Sequence, residues 1–314
     1  MVVPATREGT VDYADGVTWF RVTGELDSGP PPLVVLHGGP GAPHDYLLAL
    51  TELTARTGRA VVHYDQYGCG RSTHAPDAPL EMWTVGFFLA ELDNLLAALE
   101  LTDRHTLLGQ SWGGVLGAEY AVREPAGLRA LVLADSPASI PTWRAEADRL
   151  RSELPPGVDE VLRRHERDGT TDSPEYHEAE QVYTDRHVCR VLPNPPELLA
   201  TDRQLVQDPT VYRTMNGPSE FSGGGTMAQW SIVDRLAMIT VPTLVVSGVY
   251  DEATPLCVKP LLDHIPDVRW ELFEHSSHLP HIEEPERYLN MLDAFLAAVD
   301  ETGSQDPTDR SRNP

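Results

Sequence analysis

The stretch Thr106-Leu107-Leu108-Gly109-Gln110-Ser111-Trp112-Gly113-Gly114-Val115 passes from a run of buried-strand character into helical patterning, through a pentapeptide of the form G-x-S-x-G. A strand that turns sharply into a helix crowds its flanking positions, so glycine is needed two residues either side of the central serine. Such a turn lifts the Ser111 hydroxyl above the sheet. It also presents the backbone N–H of Trp112, at a helix start, to a negative charge developing on a nearby oxygen. Ser111 is therefore the candidate nucleophile. A glycine-rich turn with an incidental serine would not account for the strand before it and the helix after it.

Outward from this stretch the pattern repeats. Continuous apolar runs at Leu33–Leu36, Ala60–Val62, Leu131–Leu133 and Leu244–Val246 read as strands buried on both faces. Between them lie helix-patterned segments such as Val85–Leu99 and Val115–Arg123, and Gly9–Glu25 reads as two short strands around a turn at Ala14-Asp15-Gly16. Strand alternating with helix predicts an α/β architecture, a mostly parallel sheet with helices on both faces. The alternation breaks once, for about a hundred residues between Asp135 and Val241, too long for an ordinary crossover. Helical patterns at Thr142–Leu154, Val158–Arg167 and Pro174–His187 make this a helical lid inserted between two late strands. The expected division is a catalytic domain from 1–136 and 241–300, a lid from 137–240, and a disordered polar tail from 301–314.

Composition narrows the function classes. With 41% hydrophobic residues the chain is globular rather than disordered. A net charge of −24 repels phosphate backbones and anionic lipid, which disfavours nucleic acid and membrane partners. No apolar run approaches the ~20 residues of a membrane helix, and the N-terminus lacks the pattern of a signal peptide. Cys69, Cys189 and Cys257 are odd in number and irregular in spacing, which suits neither a disulfide framework nor a metal site. A cytoplasmic setting follows as the expectation. Nothing in the chain specifies an oligomeric state.

His37-Gly38-Gly39-Pro40-Gly41 follows the first long buried strand. Glycines here let backbone N–H groups approach a substrate oxygen, so Gly39 is the expected second oxyanion donor beside Trp112. A phosphate-cradling loop would need a G-K-[ST] ending that is missing. A serine hydroxyl needs a base, and the base an orienting acid. On the α/β-hydrolase fold these follow in the order serine, acid, histidine. Asp251, after the strand Leu244–Ser247, is the expected acid, with Asp135 as competitor; His278 is the expected base, with His275 and His281 as competitors. His278 opens an H-x-x-x-x-E-x-P segment completed by Glu283 and Pro285. Cys69 reads as a small buried residue rather than a reactive thiol. The Trp112 ring could line a substrate pocket or pack against the lid.

Together HGGPG (37–41), DQYGCGRS (65–72), GQSWGG (109–114), GVYDEATP (248–255) and SSHLPHIEEP (276–285) resemble the proline iminopeptidase family of α/β-hydrolases, which remove one N-terminal residue, often proline, from peptides. MNGPSEF (215–221) is similar to the tricorn-interacting aminopeptidases of that family. The resemblance implies that Glu220 and Glu252 bind the free α-amino group of the substrate. Two carboxylates at fixed distance from the nucleophile would recognise an ammonium and place the next carbonyl over the serine. It further implies a serine aminopeptidase acting on short peptides through an acyl-enzyme, without metal or organic cofactor. Two alternatives stay open: an amidase or esterase acting on an amino acid amide or a specialised metabolite, and a non-catalytic α/β-hydrolase-fold binding protein.

Overall fold

The computed structural model describes residues 4–219, 221 and 225–303. Eight strands form one sheet: β1 (Thr6–Tyr13), β2 (Gly16–Thr23), β3 (Leu33–Leu36), β4 (Val61–Asp65), β5 (His105–Gln110), β6 (Leu128–Ala134), β7 (Thr243–Gly248) and β8 (Val268–Phe273). Their spatial order is β1-β2-β4-β3-β5-β6-β7-β8. The first two strands pair antiparallel and the remaining six run parallel. The helices are α1 (Glu52–Thr57), α2 (Val85–Ala98), α3 (Trp112–Ala121), α4 (Ile140–Ser152), α5 (Val158–Asp168), α6 (Pro174–His187), α7 (Pro196–Gln207), α8 (Thr210–Met215), α9 (Pro255–His264), α10 (Pro280–Glu283) and α11 (Pro285–Gly303).

The apolar runs have a simple cause. Side chains alternate across a strand, so a strand covered on both faces must be apolar at every position. Val34, Leu36, Val62, Leu107, Leu131, Leu133 and Val245 join one core with α2, α3 and α9. The residues between them, Leu33, Val35, Val61, Leu108, Val132, Leu244 and Val246, join a second core with α11. Helix starts follow local chemistry: Thr84, Ser139, Ser173 and Thr254 each accept a backbone N–H in the first turn of α2, α4, α6 and α9.

Between β6 and β7 the chain is helical, and α4 to α6 pack partly on themselves. Leu150, Leu154, Leu162, Tyr176, Tyr183 and Phe221 form a small core separate from the two that flank the sheet. Arg151 lies buried beneath it, its guanidinium 4.5 Å from the Phe221 ring centroid and paired with Asp159 and Glu166. Residues 301–303, expected in the tail, continue α11, and the rest of that tail lies outside the described residues. No helix among the described residues is long and apolar enough to cross a membrane.

Helix α3 sits very close to the sheet. A Cβ on Gly113 would fall 1.9 Å from the Leu36 carbonyl oxygen, and one on Gly109 would fall 2.1 Å from the Gly113 carbonyl oxygen. Both neighbours are backbone and cannot move aside. Gly113→Ala is therefore expected to lower stability by about 3 kcal/mol or to abolish soluble expression, by overpacking. Gly86, in the first turn of α2, has only the Thr84 hydroxyl within 4 Å, at 3.8 Å. Gly86→Ala should be neutral or stabilise by up to about 1 kcal/mol. Urea midpoints of the two variants against the parent check both.

Candidate active site

The expected site residues come from the carboxyl ends of parallel strands, where open α/β sheets bind ligands. Ser111 follows β5, the HGGPG loop follows β3, Asp251 follows β7 and His278 follows β8. Ser111 takes φ +55° and ψ −121°, a conformation that costs on the order of 1–3 kcal/mol for a residue with a side chain. Its own N–H, 2.8 Å from the Ala134 oxygen on β6, holds it there. The next residue, Trp112, opens α3 with its N–H at the helix N-terminus.

Nδ1 of His278 lies 2.7 Å from Oδ1 of Asp251. The same oxygen accepts the Ala253 N–H at 2.8 Å, and Asp251 is buried to 1% exposure. Of the two acids weighed from the sequence, the imidazole bonds Asp251. The competing histidines are placed otherwise. His281 is buried with Nε2 3.2 Å from the Tyr46 carbonyl oxygen, and burial pulls its pKa down to about 3, so it stays neutral. His275 is exposed.

Gly39 lies across the cleft with φ +106°, where a Cβ would fall 2.6 Å from the N atoms of Gly41 and Ala42. Only glycine fits. Its loop is braced from below. His37, held neutral by burial with its pKa down to about 4, accepts the Gln66 N–H on Nε2 at 2.9 Å. Gln66 in turn accepts the Trp112 indole N–H at 2.7 Å. The Trp112 ring also packs edge-on against Phe88, 5.6 Å between centroids. The ring therefore belongs to the core under the elbow.

Ser111, His278, Gly39 and Glu252 line one cleft of about 110 Å³. Glu252 is 2% exposed, with Oε1 3.8 Å from His278 Nε2. Its carboxylate therefore sits on the nucleophile's side of the imidazole. Glu220 lies outside the described residues, although its motif neighbours Asn216, Ser219 and Phe221 are buried. No group of three or more His, Cys, Asp and Glu among the described residues could hold a metal.

Two contributors were missed in the sequence. Gln110, the variable position before the serine, accepts the Tyr46 hydroxyl at 2.6 Å and donates to the His278 carbonyl oxygen at 3.1 Å. Tyr46 accepts the Gly38 N–H at 2.8 Å. One amide thus ties the elbow, the glycine loop and the histidine loop together. The second is α7, whose Leu198, Thr201, Asp202 and Leu205 form the cleft wall opposite the nucleophile. Their i, i+3, i+4, i+7 spacing after Pro195-Pro196 was the available signal. Glu283 has a bracing role, accepting the Ser277 hydroxyl at 2.7 Å and the Arg190 N–H at 2.5 Å.

The family model for the alpha/beta hydrolase fold matches residues 31–285. The proline iminopeptidase of Clostridium botulinum is 37% identical over 92% of this chain and 97% of its own length. Among solved structures, VinJ superposes with a TM-score of 0.92 at 53% identity, over 94% of this chain and 99% of VinJ. The proline iminopeptidase of Mycobacterium smegmatis superposes with a TM-score of 0.88 at 46% identity, over 95% of this chain and 100% of that one. The chain belongs to the α/β-hydrolase fold family and, within it, to the family of the proline iminopeptidases.

Cys69, Cys189 and Cys257 are all buried and unpaired. Burial raises the thiol of Cys189 to about 11, that of Cys257 to about 12, and that of Cys69 well above its ordinary value. A raised pKa starves the thiolate at neutral pH, and the thiolate is the reactive form. The folded protein should therefore react slowly with a disulfide reagent at pH 8, and release all three thiols rapidly in denaturant. Fast titration of one thiol in the native state, lost in Cys69→Ser, would show Cys69 to be reactive.

Proposed function

We propose that the chain is a serine aminopeptidase that removes an N-terminal residue, proline or another small apolar residue, from short peptides through an acyl-enzyme. One juxtaposition carries this reading. A strained serine and an Asp-bonded histidine share a cleft with the buried carboxylate of Glu252. The remaining walls are mixed: Val188, Leu198, Leu205 and Leu279 are apolar, while Gln110, Thr201 and Asp202 are polar. A buried acid beside apolar side chains complements a substrate end that carries an ammonium and a small apolar side chain. The proline iminopeptidases to which this chain is similar support the same substrate class.

In this mechanism Oγ of Ser111 attacks the first peptide carbonyl carbon while Nε2 of His278 takes its proton. Asp251 holds the imidazole in the tautomer with hydrogen on Nδ1 and stabilises the imidazolium. The N–H groups of Gly39 and Trp112 receive the oxyanion. The imidazolium passes its proton to the leaving amine, the C–N bond breaks, and an aminoacyl ester remains on Ser111. Water, deprotonated by His278, then cleaves that ester. Glu252, with Glu220, grips the ammonium and so fixes which carbonyl meets the serine. The partner is a peptide or amino acid amide with a free amino terminus. Three reduced, buried cysteines fit a cytoplasmic setting.

Ser111→Ala should lower hydrolysis on the order of 10⁴-fold or more, and Asp251→Asn or His278→Ala on the order of 10³-fold or more. Full activity in Ser111→Ala would remove the mechanism. The exopeptidase reading has its own test, the ratio of kcat/KM for a prolyl anilide to that for p-nitrophenyl acetate. Glu220→Gln and Glu252→Gln should each lower that ratio about 30- to 900-fold, about 2–4 kcal/mol for a lost charge-assisted contact. An N-acetylated anilide should be nearly inert. A ratio unmoved by both variants would leave a serine esterase or amidase without ammonium recognition.

A further inference from the structure

The acid that does not bond the imidazole is itself unusual. Asp135 follows β6 with φ +51° and 0% exposure, its N–H on the Val246 oxygen at 2.8 Å. Its carboxyl group is buried with that of Asp251 beyond the ends of neighbouring strands, and the two interact through a side-chain hydrogen bond. Apart from that contact, among the described residues neither oxygen of Asp135 and not Oδ2 of Asp251 has a partner within normal hydrogen-bond geometry, the Gly248 amide acting on Asp135 only from longer range. Three orphaned buried oxygens at a functional site need a physical explanation. Two ionised carboxylates in contact, away from water and with no donor between them, repel strongly. One proton between them removes the repulsion and satisfies the pair.

We propose that Asp135 is a positioning residue: protonated on one oxygen, it donates a hydrogen bond to Oδ2 of Asp251 and fixes the carboxylate that orients His278. The placement rests on the triad reading given above. The proton belongs to Asp135 because the partners are unequal. Oδ1 of Asp251 already receives two hydrogen bonds, from His278 Nδ1 and from Ala253 N–H, so Asp251 is built as the acceptor of the pair. The surroundings of Asp135 act the other way. Burial, then the charge of Asp251, then that of Glu283 hold its carboxyl well above the ordinary carboxylate range, with the Gly248 amide in opposition. The phenols facing it, Tyr46 and Tyr288, are themselves pushed upward and stay neutral. The proton stays on Asp135 through the cycle, so His278 faces one negative charge from the pair rather than two.

The test uses the full chain and a prolyl anilide. In Asp135→Asn the amide replaces the O–H donor, so kcat/KM should stay within about threefold of the parent, with the acid limb of its pH profile unmoved. In Asp135→Leu the donor is lost. There kcat should fall about 10- to 100-fold with KM little changed, and the acid limb should move to higher pH. The direction follows because a carboxylate without its donor holds the imidazolium proton more tightly. Independently of activity, the infrared spectrum of the parent at pH 7 minus that of Asp135→Asn should show a protonated-carboxyl C=O band. The subtraction cancels other buried acids such as Glu91, which burial raises to about 8. If Asp135→Leu does not fold, Asp135→Asn and the infrared band decide. The proposal is overturned if that band is missing. It is equally overturned if Asp135→Asn moves the acid limb downward, the signature of a lost negative charge. Failure of the triad reading looks different: Asp251→Asn would remain active while the infrared band persisted.

Discussion

The close approach of α3 to the sheet governs the rest of the site. Gly109 and Gly113 leave no room for a methyl group between helix and strand backbone. The chain can pass from β5 into α3 only if the residue between them turns through positive φ, and that residue is Ser111. Strain at one residue is paid for by packing spread over two cores. The result is a hydroxyl fixed above the sheet, beside a helix N-terminus that carries partial positive charge. Every other functional group is arranged around that fixed point.

The motifs around the site are bracing as much as chemistry. His37, the first residue of HGGPG, is a neutral strut that accepts the Gln66 N–H. Gln66 joins the glycine loop to the indole beneath the nucleophile. Gln110 and Tyr46 join the same loop to the carbonyl of His278. Glu283 and Glu284 hold the turn before His278 through the hydroxyls of Ser277 and Ser276. A hydrolase site works when its donors need no reorganisation as charge develops, and a network of short, buried hydrogen bonds provides that rigidity.

Acidity is distributed with the same economy. The chain carries a net charge of −24, yet the buried acids near the nucleophile differ in the partners around them. Asp251 holds the imidazole and a backbone N–H on one oxygen. Glu252, buried beside Nε2 of the same imidazole, faces the cleft that a cationic chain end would enter. Residue type alone does not separate these roles; the count of donors within reach does.

Much was legible in the chain because it is local. Continuous apolar runs such as Leu33–Leu36 and Leu131–Leu133 announce doubly covered strands, and Gly109 to Gly113 announces the elbow, since each depends on neighbours in sequence. The boundaries of α2, α5 and α6 lie close to where helical patterning puts them. Other decisions required distances across the fold. Asp135 and Asp251 both end strands that neighbour each other in the sheet, and only the direction of the imidazole selects between them. The side of the elbow on which the Trp112 ring packs, and the role of Gln110, depend on partners 46 and 168 positions away. The wall formed by α7 likewise meets the nucleophile only when the insertion folds back over the strand ends. Periodicity specifies which face of an element is apolar, but a contact between distant segments is decided by how those faces pack.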